Sequence, residues 1–385
     1  MTTGNTIASI DAWAIKRTRR PRRSHEGHEG LTKGAKEKPA GRGPDAQLQI
    51  PKKLRVQVPA TDDDNDSREP PDTGMLRPLA FPRLAATMRN QIRRRGILSL
   101  LGLLLLLYFG LCASIAWDAV RPKAPRLYGS PADFGAAYQD VMFTSRDGTR
   151  LSGWFVPAPR PRGVIILCHG ISSNRCGMLY AVPMLRQVGY DTLLFDFRAC
   201  GRSGGARFTL GLREPDDVQA AVRWLQSQPE THRLPIGVLG DSAGAASAII
   251  AAARTPAIRA VIAESPFAEL RHAVDNRFRL IAGSCGPVVL APARWMGGWL
   301  IGGSPDHVAP AAVIGRIAPR PILLIQDGAD QIAPPSETAE LRAKAGPNTS
   351  VWFVPGAGHV GAFGTQQAEY TRRVQTFFER ALATP

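Results

Sequence analysis

Cysteine is scarce in this 385-residue chain: five residues, an odd number at irregular spacing, which make neither a disulfide framework nor a thiolate zinc site. Acidic side chains are few as well, 32 Asp and Glu against 48 Lys and Arg, for a formal charge of +16. A basic excess of that size suits nucleic acid or an anionic membrane. Neither a nucleic-acid fold signature nor a basic stretch interleaved with aromatics accompanies it, so no nucleic-acid partner is expected. No internal repeat is visible, which leaves out the stacked-repeat architectures. No motif calls for a metal or a cofactor, and none is expected.

The excess charge is unevenly placed. Residues 1–95 hold 20 Lys and Arg against 11 Asp and Glu. They combine a basic cluster (Lys16, Arg17, Arg19, Arg20, Arg22, Arg23), a Gly/Pro/Lys-rich middle and an acidic knot (Asp62, Asp63, Asp64, Asp66), without helical or strand periodicity. Such a segment buries too little apolar surface to offset its ordering entropy, so a disordered tail is expected. Translation from Met75 or Met88 would leave part of it unmade.

From Gly96 to Trp117 the chain changes character: 22 residues carry no charge. As a helix they span about 33 Å, matching the hydrocarbon core of a bilayer. Arg93, Arg94 and Arg95 abut one end and Trp117 marks the other. A single membrane-spanning helix is expected, with the N-terminus cytoplasmic and everything after Trp117 on the extracytoplasmic side. The rival reading is a cleaved signal peptide with Ser114-Ile115-Ala116 as its small-residue site, but the apolar run is long for that. Lipid attachment at Cys112 is disfavoured by the bulky Leu111 before it. Residues 118–137 read as a linker, and no core element is expected before Tyr138.

Residues 138–385 read as one globular domain. Val141 to Thr144 and Leu151 to Val156 flank Asp147-Gly148, a hairpin signal. Continuous apolar runs follow at Gly163 to Cys168, Thr192 to Phe195, Ile236 to Leu239, Ala260 to Ala263, Pro321 to Ile325 and Ser350 to Val354, alternating with helical patterns. Runs of that kind suit strands buried on both faces. The fold class is therefore α/β: a mostly parallel sheet with helices on both faces.

One stretch organises this domain. Gly240-Asp241-Ser242-Ala243-Gly244 follows an apolar strand and opens an Ala-rich helix running through Ala253. Strand, sharp turn and helix are the context in which Gly-x-Ser-x-Gly means a nucleophile elbow. Gly201-Arg202-Ser203-Gly204-Gly205 matches the same pattern, but no apolar helix follows, so it reads as a glycine-rich loop.

A serine nucleophile needs a base and an orienting carboxylate, expected in the chain order Ser, acid, His. His359 sits in a glycine-rich turn (Pro355-Gly356-Ala357-Gly358-His359) after the last strand pattern; His272 and His307 read as surface or lid residues. Asp327 and Asp330 both follow a buried strand. Asp-x-Ile-x-Pro favours Asp330, and Asp327-Gly328 reads as a turn. The backbone N–H groups of Ile171 and Ala243 are the expected oxyanion donors. His169 reads as a residue that packs its loop. Ser265 to Pro310 (265–310) is longer than an ordinary connection and rich in apolar residues and arginines, which suggests a helical lid suited to an acyl chain.

These residues carry a family resemblance. The His169-Gly170 loop, Asp196-Phe197-Arg198-Ala199-Cys200-Gly201-Arg202-Ser203-Gly204, Gly240 to Gly244, Asp330 and Gly358-His359 together resemble the α/β-hydrolase superfamily from about residue 138 to 381. Within it the chain looks like the serine aminopeptidase-like and monoacylglycerol lipase-like branch, which includes membrane-anchored members. Cys200 departs from the histidine that relatives often carry there. The resemblance implies an α/β-hydrolase fold and a serine hydrolase of carboxylic esters or lipids, working through Ser242, His359 and Asp330. A peptidase or thioesterase with the same residues, or a non-catalytic scaffold that binds a partner, are the alternatives.

Overall fold

The structure, a computed structural model, describes residues 81–121 and 126–383. The expected disordered tail lies outside the described residues up to position 80. Its last part does not: helix α1 runs unbroken over Phe81–Val120, so residues 81–95 are helical. Nucleating a helix is the costly step, and a long apolar helix supplies the nucleus. Met88-Arg89-Asn90-Gln91-Ile92 and the three arginines contain no Gly or Pro to stop its extension. From Ala85 to Val120 the helix is long and apolar enough to cross a membrane.

Eight strands form one sheet in the order β1-β2-β4-β3-β5-β6-β7-β8. They are β1 (Gln139–Thr144), β2 (Arg150–Val156), β3 (Gly163–Cys168), β4 (Tyr190–Phe195), β5 (Ile236–Asp241), β6 (Ile258–Glu264), β7 (Ile322–Asp327) and β8 (Thr349–Val354). The Asp147-Gly148 turn joins β1 and β2 as an antiparallel hairpin, with Gly148 at φ 84°. β2 also lies antiparallel to β4, and every later pairing is parallel. Every residue of β3, β4, β5 and β7 is buried, as the apolar runs at their centres require, and the polar Asp191, Thr192, Asp241, Gln326 and Asp327 near their ends are buried with them.

Helices cover both faces. On one side α2 (Ala181–Gln187) and, at the C-terminus, α10 (Ala362–Thr365) and α11 (Gln367–Ala381) bury Leu185, Tyr370, Val374 and Phe378. On the other, α3 (Glu214–Ser227) and α4 (Ala243–Arg254) bury Val218, Leu225, Ile249 and Ile250. Each such large side chain contributes about 1.5–3 kcal/mol by leaving water. Between β6 and β7 the chain forms α5 (Leu270–Ala282), α6 (Gly286–Val289), α7 (Ala291–Ile301) and the short α8 (Pro310–Val313); α9 (Pro335–Lys344) links β7 to β8.

The expectation that nothing before Tyr138 joins a core needs correcting. Cys112, Ala116 and Val120 of α1 are buried, and Cys112 packs with Phe278, Leu290 and Ala293 of the α5–α7 segment. The Phe208 N–H donates to Val120 O at 3.0 Å. Ala136 is buried against the sheet domain as well. The buried positions on α1 lie on one stripe of a helix that is otherwise apolar all round, so composition hid them.

Candidate active site

The site is built at the carboxyl edge of the parallel strands. β5 ends at Asp241 and α4 begins at Ala243, leaving one residue for the reversal. That residue, Ser242, takes φ 54° and ψ −118°, a region that L-residues rarely occupy. The surroundings over-determine it. A Cβ on Gly240 would come within 2.7 Å of the Gly244 backbone, and one on Gly244 within 2.3 Å of Cys168 O. Only glycine permits so close an approach of strand, turn and helix. Ser242 is 8% exposed at the start of the helix.

Two loops from later in the chain meet this serine. His359 Nε2 lies 2.8 Å from Ser242 Oγ, and His359 Nδ1 lies 2.7 Å from Asp330 Oδ2. The other oxygen, Asp330 Oδ1, accepts from the N–H groups of Ile332 (2.8 Å) and Ala333 (2.9 Å). Burial alone would raise the Asp330 carboxyl; the His359 hydrogen bond and charge, with the Ala333 N–H, outweigh it and hold the group below its ordinary range. Asp330 is thus an ionised acceptor fixed from both sides, and Nδ1 of His359 carries the proton that faces it. That tautomer leaves Nε2 free to accept from the Ser242 hydroxyl.

The strand end beside the elbow holds the histidine loop, and the sequence reading missed it. Glu264 Oε1 accepts from Ala362 N–H at 3.1 Å, and Ser265 Oγ accepts from Val360 N–H at 3.2 Å. Ser265 in turn donates to Asp327 Oδ2 at 2.6 Å, which also accepts from Gly361 N–H at 3.2 Å. Three successive N–H groups after His359 are therefore anchored, and Val360, a β-branched residue, is held at φ 54°. Asp327 is a buried brace of this loop rather than a surface turn residue.

Asp241, Glu264 and Asp327 together place three buried carboxyls behind Ser242. Glu264 Oε2 and Asp327 Oδ1 have no hydrogen-bond partner among the described residues. Burial pushes the Asp241 carboxyl up to about 7, and Asp327 adds to the rise. Burial also raises Glu264 and Asp327. A folded-state value above the unfolded one of 3.8 means that the native state keeps a proton the unfolded chain has released. Stability conferred in this way is present at low pH and is lost as pH rises toward 7. Thermal unfolding from pH 5 to pH 8 should therefore show a falling Tm, and Asp241→Asn, neutral throughout, should flatten the fall. A variant slope equal to or steeper than the wild type would contradict the assignment.

The remaining sequence candidates fall around this centre. A Cβ built on Gly170 would touch Ser242 Cβ at 3.4 Å, so the loop carrying Ile171 passes directly beside Ser242. Ala243 is the first residue of α4, whose N–H has no place in the helical ladder. His169 is fully buried: Nε2 accepts from Phe197 N–H at 3.1 Å, Nδ1 faces Gly170 O at 2.8 Å, and burial lowers its pKa. His272 lies 3.2 Å from Glu337 and is not joined to Ser242. His307 sits in a turn after α7. Cys200 is buried, with its thiol pushed well up by burial.

Ser203, in the second Gly-x-Ser-x-Gly, has a different task. Its Oγ donates to Asp196 O at 2.6 Å and accepts from Ser152 N–H at 2.9 Å, tying β2 to the loop after β4. Ser203→Ala should retain turnover within about twofold and lose about 2–3 kcal/mol of stability, from two hydrogen bonds, one of which leaves the Ser152 N–H stranded. Activity and urea unfolding on the same preparation check this.

Comparison with known proteins adds to this geometry. Residues 159–302 match the family described as serine aminopeptidase, S33. The uncharacterised protein YfhR of Escherichia coli O157:H7 is 28% identical over 265 residues, covering 67% of this chain and 85% of that protein. The uncharacterised protein Rv2307c of Mycobacterium tuberculosis H37Rv is 30% identical over 226 residues, covering 58% of this chain and 73% of that one. Among solved structures, the Pyrococcus furiosus esterase Pf2001 superposes with a TM-score of 0.59 at 27% identity, covering 68% of this chain and 99% of the esterase.

Proposed function

Because the chain belongs to the α/β-hydrolase superfamily, among its esterase and S33-type members, we propose that it hydrolyses carboxylic esters, lipids among them, through a serine acyl-enzyme while anchored in a membrane by α1. The observation that carries this reading is the hydrogen-bonded line Ser242–His359–Asp330, 2.8 and 2.7 Å, on a strained elbow at the sheet edge. Ser242 Oγ attacks the ester carbonyl as His359 Nε2 takes its proton. The developing alkoxide lies between the N–H groups of Ile171 and Ala243, each about 3–4 kcal/mol in the transition state. Collapse breaks the C–O bond, the leaving alkoxide takes the proton from His359, and the acyl group stays on Ser242. Water, deprotonated by the same nitrogen, then releases the acid and restores the serine. Asp330 stays ionised throughout and holds the imidazolium, which its depressed pKa favours.

Support for an ester rather than an amide comes from the likeness to an esterase at 27% identity. Arg93, Arg94 and Arg95 before the apolar run favour a cytoplasmic N-terminus and a hydrolase domain on the far side of the membrane. The direct test of the chemistry is a panel of p-nitrophenyl esters of graded chain length, with peptide and thioester controls. The expected result is ester turnover abolished in Ser242→Ala. Turnover of peptide or thioester but of no ester would replace this reading.

A further inference from the structure

The surface that α1 shares with α6 and α7 lies deep within the apolar run. Tyr108, Cys112 and Ile115 form the stripe that packs with Phe278, Leu290, Ala293 and Met296, and the Tyr108 hydroxyl donates to Val289 O. Tyr108 stands nine positions before Trp117, about 14 Å along the helix axis. The bilayer cannot slide along α1 to avoid this contact. A span of twenty residues ending before Tyr108 would begin at Met88 and take Arg89, Arg93, Arg94 and Arg95 into hydrocarbon. With the span fixed at residues 96–117, whatever packs on Tyr108 shares its depth.

The outer surface of that segment fits such a place. Trp295 and Trp299, one turn apart on α7, are 73% and 75% exposed, and Val288 of α6 is 78% exposed. Leu280, Ile281 and Val289 are exposed beside them in sequence. Aromatic rings of this kind collect at the boundary between headgroups and acyl chains. An exposed apolar patch continuous with a membrane-length helix has one evident cover. Arg294 of this segment is neutralised by Asp275 at 2.6 Å, and the two further arginines, Arg277 and Arg279, leave positive charge that suits an anionic leaflet.

We propose that α5–α7 is a membrane-embedded cap, docked on α1 within one leaflet, and that the substrate of Ser242 is an ester dissolved in the bilayer that reaches the site beneath this cap. The substrate half of this proposal rests on the hydrolase reading above, and the insertion half on the α1 anchor proposed with it. The cap borders the site: Asn276 Nδ2 donates to Ile332 O at 3.0 Å, in the loop that carries Asp330. The Phe208–Val120 contact lies on the loop after β4, at the same strand edge from which Ser242 emerges. The catalytic edge of the sheet thus faces the leaflet into which α1 leads.

The test uses the full chain in vesicles of phosphatidylcholine and phosphatidylglycerol. Val288→Cys in a Cys285→Ser background, the other four cysteines being buried, takes an environment-sensitive nitrobenzoxadiazole label on the introduced thiol. Blue-shifted emission, quenched by bromine on the lipid chains and protected from aqueous iodide, is expected; water-like emission quenched by iodide would overturn the insertion. Separately, Trp295→Ser with Trp299→Ser should keep kcat/KM for water-soluble p-nitrophenyl acetate within about twofold. The same variant should lose at least about tenfold on a long-chain ester dissolved in those vesicles. Equal loss, or equal retention, on the two substrates would overturn entry from the bilayer. A wild type that hydrolyses no ester while its label is still lipid-quenched would refute the hydrolase reading and leave the insertion standing.

Discussion

Ser242→Ala should give a folded protein whose ester turnover falls by on the order of 10⁶-fold, with a small residue of catalysis from the oxyanion donors and binding. The size follows from what is lost: no acyl-enzyme forms, and His359 has no hydroxyl to activate. Folding should survive because the strained backbone at φ 54° is imposed by Gly240 and Gly244 and not by the hydroxyl. Alanine has the same Cβ and removes only the Oγ that meets His359 Nε2 at 2.8 Å. Circular dichroism and thermal unfolding alongside kcat separate chemistry from stability. A folded variant with more than about one hundredth of wild-type kcat would exclude the serine from covalent catalysis.

Asp330→Asn should lower kcat by about 10⁴-fold with a smaller change in KM. An amide in place of the carboxylate presents N–H where His359 Nδ1 needs an acceptor. The alternative rotamer sacrifices the N–H groups of Ile332 and Ala333, which both donate to Oδ1. The imidazole then favours the tautomer with its proton on Nε2, facing Ser242. Asp327→Asn should cost no more than about tenfold. An amide oxygen can still accept from Ser265 Oγ and Gly361 N–H, and the carboxyl it replaces is already pushed toward neutrality by burial. Asp327→Leu, which removes the acceptor, should loosen the His359 loop and lower both activity and Tm. If Asp327→Asn were the crippled variant and Asp330→Asn the mild one, the orienting carboxylate would be Asp327.

Much of this arrangement could be read from the sequence because its parts are local. The buried strands announce themselves as unbroken apolar runs, the Asp147-Gly148 hairpin as a turn pair between them, and the elbow as a strand, a tight Gly-x-Ser-x-Gly and an alanine-rich helix. Asp330 and His359 could be singled out because each stands in a short loop just after a strand. What escaped the sequence depends on pairs distant in the chain. Nothing in Glu264-Ser265 announces that these residues grip Val360 and Ala362 nearly a hundred positions later. Asp327 looked like a turn residue because Asp-Gly is so often one; its burial depends on β6 lying beside β7. The packed stripe on α1 was invisible because every side of residues 96–117 is equally apolar, and only the partner, α7, picks out one.

The measurement closest to the central claim is the site of covalent attack. The full-length protein is treated with a fluorophosphonate, digested with trypsin and mapped by mass spectrometry. Ser242 falls in the tryptic peptide of residues 234–254, and Ser203 falls outside it. The account predicts a single stoichiometric adduct on Ser242, abolished by Ser242→Ala and strongly slowed by His359→Ala, with Ser203→Ala labelled at the wild-type rate. An adduct on Ser203 or any other residue, or a folded and unlabelled wild type, would contradict it.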